Sequence, residues 1–111
     1  DGTFVRAARE AGAAGIIIEA FGIGNGNHEI LAEVRQSIEA GVAVVVVSRC
    51  PEGYVAPVYG NGGGYDLKEA GAIFGGALSG QKARILLMVA LAAARESGER
   101  LEALLAPHLE I

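Results

Sequence analysis

The sequence predicts an α/β fold: one small three-layer domain of the Rossmann-like or flavodoxin-like kind, with a parallel sheet flanked by helices. Two apolar runs and the helical period between them carry this prediction. Residues 42–48 form an unbroken run of Val and Ala ending in Ser48, apolar on both faces as strands buried in parallel sheets are. Ile16, Ile17 and Ile18 form a second stiff, β-branched run, which favours extended backbone. Between them Ile30, Leu31, Val34 and Ile38 recur at helical spacing, with Glu29, Glu33, Arg35 and Gln36 off the stripe. Strand, helix and strand in this order make a right-handed βαβ unit.

A chain of 111 residues is one domain at most and buries roughly 65% of its extended surface. Its hydrophobic content of 51% is high, yet charges and glycines interrupt every long apolar run, so no segment reads as membrane-spanning. Part of this apolar surface is expected to belong to an interface. The net charge of −4, with Lys and Arg scattered along the chain, argues against nucleic acid as a partner. The single cysteine, Cys50, cannot form an internal disulfide. A cytoplasmic location is the default, with periplasm and secretion left open. The chain begins at Asp1 with no methionine or leader-like segment, which reads as a piece of a longer protein.

Taken in order, residues 3–12 predict a short helix with Phe4, Ala7, Ala8 and Ala11 on its apolar side, Asp1 or Thr3 as N-cap and Gly12 at its end. A strand follows at 15–20. Glycines at 22, 24 and 26 then let the backbone turn sharply, and a helix runs from about 28 to 40, with Asn27 as N-cap, Glu29 in the first turn and Gly41 as stop. After the strand at 42–48, residues 49–65 contain Pro51, Gly53, Pro57, Gly60, Gly62, Gly63 and Gly64 and no periodic segment. A loop of this length in a compact domain is expected to be functional or mobile. One helical turn at 66–70 and a short strand at 72–74 precede a long helix, 80–96. Ser79 caps that helix, and Ile85, Met88, Val89 and Ala92 share one of its faces. A last helix at 99–105, closed before Pro107, reads as peripheral.

If the domain has a site, it belongs at the carboxyl end of the 15–20 strand, beside the N-terminus of the next helix, where open α/β sheets collect ligands. Gly22, Gly24 and Gly26 invite a dinucleotide reading, but the G-x-G-x-x-G fingerprint requires glycine at the position of Asn27. Gly75 to Lys82 imitates a phosphate loop, yet Gln81 stands where the lysine should and Ala83 follows Lys82. His28 and His108 are distant in sequence and belong to no ligand spacing, so no metal or cofactor is implied. Cys50, Ser48 and Ser79 lack an identifiable base partner. No self-sufficient catalytic set is legible, and a nucleotide-binding module stands as the alternative to an enzyme domain.

Several segments together resemble the C-terminal domain of bacterial-type L-asparaginases: residues 15–27, the 42–48 strand continued by Arg49, Cys50 and Pro51, the run 70–74, and Leu78 with Gln81, Lys82, Ala83 and Arg84. The resemblance covers nearly the whole chain. It implies a hydrolase of two α/β domains per subunit, working as homodimers or homotetramers on L-asparagine, with L-glutamine as a second substrate. Each active site lies between the N-terminal domain of one subunit and the C-terminal domain of another. It places the catalytic threonine and its relay in an N-terminal domain, so that no catalytic residue falls in this chain. Asn27 matches the turn asparagine that reaches the neighbouring subunit's substrate, with Asn25 shaping the same turn; a plain N-cap is the competing role for Asn27. A loop glutamate that many members use falls at Gly62 to Gly64 here, and Asp66 is the nearest carboxylate. The resemblance also extends to asparaginase-like subunits of tRNA-dependent amidotransferases. It places one further strand before residue 1, so a lone chain is expected to expose the sheet edge that this strand covers.

Overall fold

The computed structural model describes residues 2–20, 28–48 and 64–109. The order of elements is α1 (Thr3–Glu10), β1 (Gly15–Ala20), α2 (His28–Glu39), β2 (Ala43–Ser48), α3 (Gly64–Ala70), β3 (Ile73–Phe74), α4 (Gly80–Ser97) and α5 (Leu101–Leu105), followed by a 3₁₀ turn at Ala106–His108. The three strands form one parallel sheet in the order β1-β2-β3. The α/β class and the parallel sheet flanked by helices are as the sequence predicts.

The pleat of the sheet divides the core. Ile16 pairs with Val44, and Ile18 with Val46, which in turn pairs with Phe74; this face packs against Leu31 and Val34 of α2 and Leu67 of α3. Ile17, Val45 and Ile73 share the other register and pack against Ala83, Leu87 and Ala90 of α4 and Leu105 of α5. Val44, Val45, Val46 and Val47 are each at most 3% exposed, which is why β2 is apolar on both faces. Fully burying each contributes about 1.5–3 kcal/mol.

Each helix that leads into a strand stops in the same way. Ala13, Val42 and Ala72 donate their N–H to Ala8, Ser37 and Leu67, five residues back. Gly12, Gly41 and Gly71 between them hold φ of +90°, +88° and +107°. This is the Schellman closure, which needs a residue free of Cβ strain at the left-handed position. In the sequence the stops are three copies of Glu-Ala-Gly, at 10–12, 39–41 and 69–71, a repeat that element-by-element reading passes over.

Several expectations change. Thr3 is not the N-cap of α1, and Asp1 lies outside the described residues: the N-cap is Gly2, with no side-chain hydrogen bond, and it lies so close to α2 that a Cβ there would stand 2.5 Å from Glu33 Cγ. The buried residue of α1 is Val5, while Phe4 is 85% exposed. The last two residues of the expected 49–65 loop are already helical, in α3. On α4 the stripe of Ile85, Met88 and Val89 faces solvent, since Ala83, Leu87 and Ala90 occupy the side against the sheet. The final helix is not peripheral: Leu105 is 2% exposed and Leu101 and Leu109 pack beside it. Glu33, expected off the stripe, is buried, because Arg9 of α1 reaches across to it.

Candidate functional site: the carboxyl edge of the sheet

Because the strands are parallel, their carboxyl ends line one edge. Ala20 of β1 pairs in register with Ser48 of β2, so the connections that leave these strands start side by side, about 4.8 Å apart. Asn25 and Asn27 lie within the first connection and Cys50 within the second. Residues 21–27 and 49–63, with the expected N-cap role of Asn27 and the expected mobility of the long loop, fall outside the described residues. α2 begins at His28, immediately after Asn27, so its first turn opens at this edge.

The described residues add a third segment to the edge. After β3 the chain passes through Gly75, whose N–H donates to Val46 O at 2.7 Å; a Cβ at Gly75 would stand 2.6 Å from Val47 Cγ1. It then enters α4 under the cap of Ser79, whose Oγ accepts from Lys82 N at 3.2 Å, as the sequence predicts. The carboxylate of Glu19, second to last in β1, lies over the first residue of α4, close enough that any Cβ at Gly80 would collide with it. A carboxylate at a helix N-terminus is favourably placed in the helix field. This juxtaposition ties the exit of β1 to the start of α4. No local pattern in the sequence announces it: Gly80 reads there only as part of an imperfect phosphate-loop spacing.

β1 is an outer strand of the described sheet, and along it runs a groove of about 650 Å³ lined by Phe4, Val5, Ile16, Ile18, Glu19 and Arg84. A smaller cavity of about 380 Å³ lies along β3, between Lys68 and Leu109. The groove brings Glu19 and Arg84 to one lining, and the smaller cavity Lys68 and Glu102. His28 and His108 are exposed, and no cluster of His, Cys, Asp or Glu that could hold a metal exists among the described residues. Asp66 is half-buried in the first turn of α3 and already engaged by a neighbour. The hydroxyls of Ser37 and Ser79 are both committed to backbone groups: Ser37 Oγ donates to Glu33 O at 2.8 Å, and Ser79 is the cap. No helix of the described residues is long and apolar enough to cross a membrane.

Parallel strands with helices on both faces define an open α/β domain, the class in which ligands collect at the carboxyl edge of the sheet. Within that class, the profile of the Glutaminase/Asparaginase C-terminal domain matches residues 1–105, and the chain belongs to that family. An L-asparaginase from Bacillus licheniformis is 37% identical over 97 residues, which is 86% of this chain and 30% of the relative. A probable L-asparaginase from Deinococcus radiodurans is 42% identical over 78 residues, 69% of this chain and 23% of the relative. The crystal structure of L-asparaginase I from Vibrio cholerae superposes with a TM-score of 0.77 at 26% identity, covering all of this chain and 32% of that one. The chain thus spans about a third or less of the proteins that it matches.

Proposed function

We propose that this chain is the C-terminal domain of an L-asparaginase, in which water adds to the side-chain amide of L-asparagine and ammonia leaves, giving L-aspartate. Its share of the work is to form one wall of the substrate pocket and to pair subunits. The nucleophile and its proton relay belong to an N-terminal domain. The observation that supports this most is the family match over residues 1–105, together with relatives of this name of which the chain covers only about a third. The wall is the carboxyl edge. Asn27, next to the start of α2, would offer its amide to the substrate or to a catalytic hydroxyl across the subunit boundary, and Asn25 would shape the same turn. A reducing compartment suits a chain with one cysteine.

Two measurements test this reading. The 111-residue chain alone should release no ammonia from L-asparagine above buffer; clear turnover would place the nucleophile in this chain and overturn the assignment. In the full-length enzyme, Asn27→Ala would leave a partner polar group unpaired, at about 1–3 kcal/mol, read as a fall in kcat/KM, with a smaller fall for Asn25→Ala. A lower melting temperature with kcat/KM unchanged would reduce Asn27 to a helix cap. Titration with NAD and ATP checks the rival nucleotide-binding reading, which micromolar affinity would favour.

A further inference from the structure

We infer that the solvent face of α4 is a two-fold interface on which a second copy of this chain lays its own α4 in antiparallel orientation; the inference rests on the pairing role proposed above and names its surface. Among the described residues the exposed large hydrophobic side chains are Phe4 and three from α4: Ile85, Met88 and Val89, each more than half exposed. Gln81, Lys82, Ile85, Leu86 and Val89 line a shallow hollow of about 590 Å³ on this face. The far side of the helix is already packed on the sheet through Ala83, Leu87 and Ala90, so the outer face is left uncovered among the described residues.

The sequence of this face is complementary to itself when reversed about Val89. At 100° per residue, Lys82, Ile85, Val89, Ala92, Ala93 and Glu96 lie within about 60° of Val89 around the helix. Reversal about Val89 sets Val89 on its own symmetry mate and seats Ile85 over Ala92 and Ala93, a large side chain on two small ones. It also brings Lys82 of each copy level with Glu96 of the other, seven residues to either side of the centre, or about 10 Å along the axis. Neither Lys82 nor Glu96 takes part in an ion pair among the described residues. Arg84 and Arg95 point about 140° and 120° away from Val89, so the like charges of the two copies stay off the seam. An isologous contact of this kind closes at the dimer. A partner of unrelated sequence would have no reason to meet this centred pattern of charge and size.

Sedimentation equilibrium of the purified chain, with circular dichroism to confirm folding of each variant, tests the proposal. A concentration-dependent dimer is expected. Val89→Glu would bury two unpaired carboxylates on the axis and should raise its dissociation constant by about 100-fold. Lys82→Glu should weaken the dimer several-fold, and Lys82→Glu combined with Glu96→Lys should restore it, which a general loss of folding would not do. In a Cys50→Ser background, Val89→Cys should give a disulfide-linked dimer on oxidation, while Arg95→Cys on the same helix should not. A strictly monomeric chain would overturn the α4 contact and leave the pairing role of the full-length enzyme standing. A dimer indifferent to Val89→Glu, or one that the double charge exchange fails to restore, would leave the pairing role standing and overturn its assignment to α4.

Discussion

The two long helices, α2 and α4, carry apolar stripes of the same helical period, and only the stripe of α2 meets the sheet. On α2, Leu31 and Val34 are buried and Ile30 and Ile38 half-buried against the sheet, as the stripe implies. On α4 the chosen stripe of Ile85, Met88 and Val89 points to solvent, and the sheet is met by Ala83, Leu87 and Ala90. The difference lies in what opposes the stripe. On most of α2 the side away from the apolar positions carries charge, so only one orientation leaves charges in water. Through residues 85–94 of α4 no charge occurs at all, and periodicity has no polar side to reject. Size then decides. Alanines at 83 and 90 let the helix approach the sheet, and Gly15 of β1 leaves a hole that Leu87 fills, since a Cβ there would stand 2.7 Å from Leu87 Cδ2.

The sharpest way to break this comparison is to truncate one residue from each side of α4. Leu87→Ala removes a side chain that is 4% exposed and should cost about 2–5 kcal/mol in urea unfolding, the range for buried leucines. Val34→Ala, fully buried on α2, should also be costly. Val89→Ala should change stability by no more than about 0.5 kcal/mol when measured at dilution that keeps the chain monomeric. Equal costs at 87 and 89 under those conditions would mean that α4 sits on the sheet in a different rotation.

A second prediction concerns the place where α2 itself departs from its sequence pattern. Glu33 is buried because Arg9 Nη2 approaches its carboxylate at 3.5 Å, while Arg9 Nη1 donates to Glu33 O at 3.1 Å and to Ser37 Oγ at 3.3 Å. Both side chains are mostly sheltered, at 14% and 11% exposure. Arg9→Ala strips a partner from three acceptor atoms on the buried residues Glu33 and Ser37 and should destabilise by about 1–3 kcal/mol. Arg95→Ala, on exposed surface, should cost no more than about 0.5 kcal/mol. If the two alanine variants unfold at the same urea concentration, α1 is not anchored to α2 through Arg9.

What was legible follows from the same physics. The strands at 15–20 and 42–48 and the helix that begins after Asn27 were readable because β-branched runs and a stripe with a charged back admit few alternatives. Phe4 reads as core from sequence because a hydrophobic residue on a short helix has no local feature that turns it outward; the buried residue of α1 is Val5 instead. The Arg9–Glu33 pair joins residues 24 positions apart, and no local pattern announces it. The carboxyl edge could be located from the strand, glycine turn and helix order alone, but the placement of Glu19 over Gly80 could not, because β1 and α4 meet only through tertiary packing.

The smallest expected effect separates the two helix starts. Ser79 Oγ accepts from Lys82 N at 3.2 Å on exposed surface, so Ser79→Ala should remove one cap at about 1 kcal/mol, or roughly 4 °C in melting temperature for a domain of this size. Its cost should be purely structural: in the full-length enzyme kcat/KM should stay at the parent value, because the hydroxyl is committed to the helix that it starts. Asn27→Ala, at the residue before α2, is expected to divide differently, with a kinetic loss larger than its thermal one. Comparing the two variants removes the ambiguity in either alone, since both replace a small polar residue at a helix start near the same sheet edge. A fall in kcat/KM for Ser79→Ala as large as that for Asn27→Ala would show that any loosening of this edge disturbs the pocket. The case for a direct contact from Asn27 would then lose its force.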